Sequence, residues 1–198
     1  YRTGGNSGCG SYGHLANWKA EIVNDFVAAT GVQRVIEHGA GDGNQLSLAR
    51  YPQYLGLDVS PAAIELCRHR FGNDPSRKFL HVSEYCGETY ELALSMDVIF
   101  HLVEDAVYFD YMRRLFGSAS RWVIVYSSNR DSATHAVHVR HRDFVAYVAE
   151  RERDWQLVQV IRNPFPYDEH HPDDTSFSDF YFFAKTDAEA AVAPLPAT

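Results

Sequence analysis

The fold is decided by Val35-Ile36-Glu37-His38-Gly39-Ala40-Gly41-Asp42-Gly43-Asn44, a buried strand that runs into a turn with three glycines. A short helix and a second apolar strand follow, and that strand ends at Asp58. Glycine has no Cβ, so the backbone of such a turn can approach a ligand closely. A carboxylate at the end of the second strand can hold the two hydroxyls of a ribose. The layout therefore predicts a site for an adenosine-bearing cofactor.

The composition predicts one folded domain of acidic character. The chain has 198 residues, which suffice for a single α/β domain with a good core. Its apolar content is 45% and its formal net charge is −8, so a basic surface for nucleic acid is not expected. Apolar runs are only as long as strands, and we expect no membrane span. Three cysteines without metal-type spacing favour reduced thiols in a cytoplasmic protein.

Strand-like and helix-like segments alternate along most of the chain, and this predicts an α/β fold. Strands are predicted at Val32–His38, Tyr54–Asp58, Phe79–Val82, Leu94–Phe100, Trp122–Tyr126, Leu157–Ile161 and Phe177–Ala184. Helices are predicted at Leu15–Ala29, Gln45–Arg50, Ala62–Phe71, Glu104–Phe116 and His141–Glu152. Alternation of this kind is typical of a mostly parallel sheet, here seven-stranded, with helices on both faces.

The two ends of the chain differ in composition from this domain, which we predict at residues 15–185. Residues 1–14 are rich in glycine and serine, and we expect them to order as a lid over a ligand. A plain flexible terminus is the alternative. Residues 186–198 are rich in alanine and proline, as in a tail or linker. Because the chain begins with Tyr1, we expect a fragment or a processed form of a longer protein.

The glycine spacing and the charges of the turn distinguish between two cofactors. A dinucleotide site requires G-x-G-x-x-G and places a pyrophosphate at the helix N-terminus. Here the spacing is Gly39-x-Gly41-x-Gly43, and two carboxylates, Glu37 and Asp42, flank it. Carboxylates repel a pyrophosphate but attract the sulfonium and ammonium groups of S-adenosyl-L-methionine. The electrostatics favour the sulfonium cofactor.

Three motifs of the chain resemble those of class I S-adenosylmethionine-dependent methyltransferases. Residues 37–43 look like motif I, D/E-x-G-x-G-x-G, and the segment 55–60 looks like motif II. Residues 94–101 are similar to the motif IV strand. The resemblance covers residues 15–185 and implies the Rossmann-like fold of that family. It extends to small bacterial methyltransferase domains linked to surface-polysaccharide biosynthesis, which are parts of longer chains.

The resemblance also implies roles for particular residues. Glu37, Gly39 and Gly41 would line the methionine end of the cofactor. Asp58 would bind the ribose, and Val59 would pack against the adenine. Contacts with the adenine edge would come from Ser83, Glu84 and Tyr85, although no clear aspartate follows the third strand as it does in the family.

Several histidines and arginines are candidates for the acceptor side. A hydroxyl acceptor must lose a proton, and histidine is suited to take it because its ordinary pKa lies near working pH. The candidate bases are His101, which follows strand four, and His138 and His141, which follow strand five with His135. A metal site is a second interpretation of the H-x-x-H-x-x-H spacing, but three-residue steps do not align on one helical face, and we predict no metal.

Acceptor recognition and the reaction follow from these candidates. Arg140 and Arg142 would recognise an anionic group, and Tyr12 would contact the acceptor from the lid. We expect O-methylation of a sugar, a glycan or another small hydroxyl or phosphate acceptor. The alternatives are an oxidoreductase that uses NAD and a non-catalytic scaffold with the methyltransferase fold.

Overall fold

The computed structural model describes residues 7–132 and 138–186, which form one seven-stranded sheet flanked by helices. The strands are β1 (Arg34–His38), β2 (Gln53–Asp58), β3 (Arg77–His81), β4 (Tyr90–Met96), β5 (Ala119–Ser127), β6 (Trp155–Ile161) and β7 (Asp179–Lys185). The α-helices are α1 (Gly13–Thr30), α2 (Pro61–Phe71), α3 (Asp105–Gly117) and α4 (Phe144–Arg151). Short 3₁₀ helices span Cys9–Ser11, Gln45–Leu48, Val82–Glu84 and Ile99–His101.

The strand order places the predicted cofactor turn at the centre of the sheet. The order is β3-β2-β1-β4-β5-β7-β6, in which β1 to β5 are parallel and β7 is antiparallel to both of its neighbours. The chain leaves β1 toward β2 on one side, whereas β4 lies on the other side. In open α/β sheets a ligand-binding crevice forms where the strand order reverses, at the carboxyl ends of such strands. The predicted seven-stranded, mostly parallel sheet is confirmed.

Alternate residues of the strands enter two separate apolar layers. One layer contains Val35 and Leu94 with the buried faces of α1 and α2. The other contains Ile36 and Ala93 with the buried faces of α3 and α4. Strands buried on both faces are apolar at most positions, as β5 is from Trp122 to Tyr126, whereas β1 ends with Glu37 and His38 at the cavity. Helices therefore cover both faces, as predicted.

The helix ends show where local sequence sets the boundaries. Ser60 caps α2 as expected, because its hydroxyl accepts a hydrogen bond from the Ala63 amide at 3.3 Å. Gly31 ends α1 with φ at 65°, a left-handed conformation that favours glycine. Among the residues that the structure describes, no helix combines the length and the apolar character needed to cross a bilayer.

The bounds of several predicted elements are wrong, and two of these elements carry predicted site residues. The fourth strand lies four residues earlier than predicted and ends at Met96, because Asp97 turns the chain with φ at 57°. The helix predicted from His141 begins only at Phe144, where the Asp143 carboxylate accepts a hydrogen bond from the Ala146 amide at 3.0 Å. His141 instead forms an isolated bridge with Ser132.

Candidate functional site

The glycine turn after β1 has the backbone that its sequence implies. Gly39, Gly41 and Gly43 have φ values of 98°, 59° and 76°. A Cβ on Gly39 would collide with the Val98 side chain, so the loops that follow β1 and β4 approach each other only because this residue is glycine.

Asp58 fastens this turn to the end of β2. One carboxylate oxygen accepts a hydrogen bond from the Gly41 amide at 2.9 Å, and the other accepts one from the Ser60 amide at 2.8 Å. Each carboxylate oxygen has lone pairs for more than one donor, so Asp58 retains capacity for hydroxyl donors in the crevice. Asp58, the residue predicted to bind the ribose, therefore lies beside the predicted turn.

A cavity of about 470 Å³ opens at this edge of the sheet. Its walls come from the ends of β1, β2 and β4, from α1 and α3, and from the segment that precedes α1. The lining includes predicted cofactor residues, namely Glu37, Gly39, Gly41, Asp58 and Val59, and one predicted base, His101.

Glu37 is the most deeply buried carboxyl group of the cavity. It is 4% exposed, and the Tyr54 hydroxyl donates to its Oε2 atom at 2.6 Å. Burial raises the pKa of Glu37 to about 7, although the Tyr54 hydrogen bond and the positive charge of Lys19 act in the opposite direction. An acid in such surroundings is stabilised in its charged form by a cation that enters the cavity.

An ion pair that sequence reasoning missed lies beside Glu37. Lys19 of α1 is 1% exposed, and its Nζ atom donates to Asp97 Oδ2 at 2.8 Å. The ammonium group also lies 5.2 Å from the centre of the Tyr126 ring. Asp97 accepts a second hydrogen bond from the Ser178 hydroxyl at 3.2 Å. Asp97 has a φ of 57°, which is strained for a residue other than glycine, and such strain is typical of ligand sites.

The residues before α1 lie against the glycine turn. The Ser7 amide and the Tyr12 hydroxyl both donate to Asp42 Oδ2, and the Asp42 amide donates to the Ser7 hydroxyl at 2.8 Å. These bonds contribute to a lowered pKa of Asp42 although burial opposes it, so this carboxylate stays ionised. Ser7, Gly8 and Ser11 line the cavity. The Tyr12 hydroxyl instead donates its hydrogen bond to Asp42.

The predicted adenine-edge residues lie outside the lining of the cavity. Ser83 and Glu84 bond to His81 in a 3₁₀ turn, and the Tyr85 hydroxyl donates to the Glu88 carbonyl. The lining contains Val82 instead, together with Val59, whose side chain is 73% exposed. After the third strand, the cavity lining therefore includes the residue before the three that were predicted.

His101 lines the cavity, and His138 lies against it but outside the lining. Their rings stack with centres 6.3 Å apart, and His101 Nδ1 lies 3.3 Å from the His138 carbonyl oxygen. A carbonyl only accepts, so Nδ1 carries the proton and Nε2 is the acceptor nitrogen of neutral His101. His101 lines the cavity, and it is exposed.

His141 has different surroundings. It is 3% exposed, Ser128 Oγ lies 2.6 Å from its Nδ1, and the Arg130 guanidinium donates to its Nε2 at 2.9 Å. Burial, followed by the positive charge of Arg130, lowers the pKa of His141. Both ring nitrogens are engaged and the residue is absent from the cavity lining, so the geometry does not favour His141 as a base.

The two arginines predicted to bind the acceptor are used within the fold. Arg142 donates to Asp105 at 2.6 Å and to the carbonyls of Leu102 and Val103, and its guanidinium lies over the Tyr108 ring. Arg140 donates to the Val103 carbonyl at 3.0 Å and pairs with Asp105 at 2.9 Å. Both hold the segment that follows β4 rather than face the cavity.

Two further expectations concern metals and the residues near His135. Within residues 7–132 and 138–186, no three histidine, cysteine or acidic side chains are placed to hold a metal ion. His135 itself lies outside the described residues, as do residues 187–198 of the predicted tail and the first six residues of the predicted lid.

No sequence pattern indicated several other residues that line the cavity. Lys19 lies in a helix that was predicted only from its apolar spacing, and Tyr111 and Arg114 lie on α3 far along the chain. Asp97 belongs to the motif IV segment and was available to sequence reasoning, but the displaced strand end hid its position in the turn.

Comparison with known proteins supports the fold at low sequence identity. No family model and no curated protein sequence matches this chain. A bacterial Hen1 methyltransferase domain superposes with a TM-score of 0.66 at 18% identity, over 87% of this chain and 99% of that one. This is the Rossmann-like fold of class I methyltransferases.

Solved structures with bound cofactor superpose over similar lengths. The N-methyltransferase NodS from Bradyrhizobium japonicum, in complex with S-adenosylhomocysteine, gives a TM-score of 0.67 at 14% identity, over 93% of this chain and 91% of that one. CalS10 from Micromonospora echinaspora, an amino pentose methyltransferase with bound S-adenosylmethionine, gives 0.65 at 13% identity, over 89% and 94%.

Proposed function

We propose that this chain is an S-adenosylmethionine-dependent methyltransferase. The observation that carries the proposal is the charge of the cavity, which Glu37, Asp42, Asp58 and Asp97 line at the end of a glycine turn. A dinucleotide would bring its pyrophosphate against these carboxylates, whereas a sulfonium cofactor brings positive charge. The folds of the cofactor-bound NodS and CalS10 structures support the same choice.

An unsatisfied acceptor in the cavity fits the same cofactor. The Oε1 atom of Gln45 is buried without a hydrogen-bond partner among the described residues, while its Nε2 atom donates to the Ala16 carbonyl at 2.9 Å. A buried acceptor without a donor is costly, and an ammonium group in the cavity would supply one. Gln45 lines the cavity, as Glu37 does.

Different residues of the cavity would bind different parts of the cofactor. Lys19 and Glu37 would hold the charged amino-acid end, Asp58 the ribose, and Val59 and Val82 the adenine faces. When bound, the cofactor supplies a methyl group activated by its attachment to a positive sulfur. The protein would position the acceptor atom in line with that methyl group, and the loop that follows β4 borders the cavity.

For the acceptor, we propose a small hydroxyl compound, in particular a sugar or glycan. His101 supports this proposal, because an alcohol must lose a proton and His101 has an acceptor nitrogen at the mouth of the cavity. His138 would orient His101. By resemblance to small bacterial methyltransferase domains, we place the reaction in cytoplasmic synthesis of surface polysaccharide.

Calorimetry separates the proposed cofactor from NAD. We expect S-adenosylhomocysteine to bind and NAD to give no heat. Binding of NAD without binding of S-adenosylhomocysteine would support the oxidoreductase alternative instead.

Transfer of a labelled methyl group tests the acceptor and distinguishes an enzyme from a scaffold. The acceptors are matched pairs of sugars that differ in one hydroxyl or amino group. We expect label in the hydroxyl sugars, and we expect His101→Gln to lower turnover at least about tenfold with unchanged S-adenosylhomocysteine affinity. Transfer only to the amino sugars would overturn the hydroxyl assignment, and no transfer to any acceptor would favour the scaffold.

A further inference from the structure

Glu37 is held differently from the other carboxylates of the cavity. Asp58 accepts hydrogen bonds from two backbone amides, Asp97 pairs with a lysine, and Asp42 accepts from Ser7 and Tyr12. Glu37 accepts from the Tyr54 hydroxyl, and across residues 7–132 and 138–186 it has no cationic partner within ion-pair distance. It is therefore a buried acid on a cavity wall whose charge is not neutralised.

The titratable and charged groups around Glu37 come from every element packed against β1. They are Lys19 on α1, Tyr51 just before β2, Tyr54 on β2, Asp58 at the end of β2, Cys67 on α2, Tyr111 on α3, Asp42 in the loop after β1 and Asp97 in the loop after β4. Among the described residues, Lys19 is the cation that acts on Glu37, and Asp97 already binds its ammonium group at 2.8 Å. Arg114 of α3 also lines the cavity, and its charge acts on His38 and Tyr111. Burial consequently outweighs these influences and raises the pKa of Glu37 to about 7.

We propose that Glu37 releases a proton to solvent when the positively charged methionine end of the cofactor enters the cavity. The carboxyl O–H bond breaks, the proton passes to the buffer, and the carboxylate then faces the ligand's ammonium group. This inference rests on the proposed function, because it needs a cofactor with a cationic end. Glu37 thereby recognises the charge of the ligand in addition to its shape.

The proposal fixes the sign of the pH dependence of binding. Below pH 7 most molecules must lose a proton in order to bind, so the Kd of S-adenosylhomocysteine rises by up to about tenfold for each unit of falling pH. Above pH 8 Glu37 is already ionised, and the Kd no longer depends on this group. The α-ammonium group of the ligand keeps its charge throughout this range.

Calorimetry in two buffers of different ionisation enthalpy counts the released protons directly. With S-adenosylhomocysteine at pH 7, we expect release of about half a proton per site, because a group with a pKa near 7 is then half ionised. Methylthioadenosine, which has the same nucleoside and no amino-acid end, should bind more weakly and release none.

Three variants identify the source of the proton. Glu37→Gln keeps an acceptor for Tyr54 and cannot titrate, so the release should vanish. Tyr54→Phe removes a hydrogen bond that lowers the pKa of Glu37, so at pH 8 it should release more than the wild type. His101→Gln removes an imidazole that also lines the cavity, and the release should persist.

The outcomes separate this inference from the proposed function. Binding of S-adenosylhomocysteine without proton release, or release that persists in Glu37→Gln, would overturn the inference and leave the methyltransferase proposal intact. Failure of the wild type to bind S-adenosylhomocysteine would overturn both. A wild-type fold of each variant is checked by circular dichroism before titration.

Discussion

The cofactor end of the cavity and the segment of residues 138–142 use their charged side chains in opposite ways. At the cofactor end, Glu37 and Asp58 line the cavity and keep capacity for a ligand. In the second region, Arg142 and His141 are saturated by partners of the same chain. Side chains of the right chemical type therefore indicate a site only where the fold leaves their bonding capacity open.

Asp58→Asn tests the cofactor side and has the largest expected effect. Loss of the charged acceptor would weaken the two proposed hydrogen bonds to the ribose, so we expect the Kd of S-adenosylhomocysteine to rise about a thousandfold, or about 4 kcal/mol. Asp74→Asn is the matched control. Asp74 likewise accepts from the amide two residues later, at 2.9 Å, but lies outside the cavity lining. Equal affinities in the two variants would contradict the ribose assignment.

Arg142→Met tests the second region, and we expect it to act on stability rather than on binding. The change removes the nearly buried guanidinium that donates to the Leu102 carbonyl and shares the Val103 carbonyl with Arg140, and we expect this to cost about 3 kcal/mol in the free energy of unfolding. For a chain of this size that corresponds to a melting temperature lower by about 6–12 °C. Calorimetric melting provides the measurement. A normal melting temperature with weakened acceptor binding would instead restore Arg142 as a recognition residue.

The pH dependence of stability compares two neighbours on β1 whose slopes have opposite signs. Burial, and then the charge of Arg114, lowers the pKa of His38 to about 3, so between pH 3 and 6.5 the unfolded chain binds more protons at this residue. The stability from His38 is therefore lost as the pH falls. The pKa of Glu37 is raised to about 7, so its contribution is present below pH 4.5 and is lost as the pH rises to 7.

Between pH 4.5 and 6.5 the two slopes oppose each other, and single substitutions separate them. Relative to the wild type, Glu37→Gln should make stability rise with pH by up to about 1.4 kcal/mol per unit. His38→Gln, which keeps a donor for Ser118, should make it fall by a similar amount. Denaturant titrations at several pH values measure both slopes. Parallel curves for the two variants would show that these pKa values are not shifted.

The smallest expected effect is that of Arg140→Met. Its side chain is 43% exposed, and exposed ion pairs contribute little, so the free energy of unfolding should fall by less than about 1 kcal/mol. The ratio of this loss to that of Arg142→Met measures how much burial matters in one cluster around Asp105. If Arg140→Met lowered the free energy of unfolding more than Arg142→Met, then Arg140 rather than Arg142 would be the main stabilising arginine of this cluster.

Much of the fold and half of the site were accessible from the sequence. The glycine turn and Asp58 are predictable because strand, turn and strand are contiguous, and their geometry depends on local backbone chemistry. The end of β4 was misplaced because residues 98–100 are apolar although the strand has already ended at Met96, and apolar runs do not mark such a turn.

The remaining site residues depend on tertiary placement. Lys19 enters the cavity because α1 packs across β4 and β5, a contact that no local pattern encodes. His141 and Arg142 have suitable chemistry, but their partners Ser128, Arg130 and Leu102 are known only from the fold. Sequence reasoning can propose such residues and cannot determine which of them are already bound.

The contacts of residues 7–12 with Asp42 also have a kinetic consequence. Ser7 and Ser11 line the cavity, and hydrogen bonds to Asp42 and Asn44 hold their segment against the glycine turn. We expect a ligand bound beneath this segment to leave faster once those bonds are removed, because the segment would then detach more often.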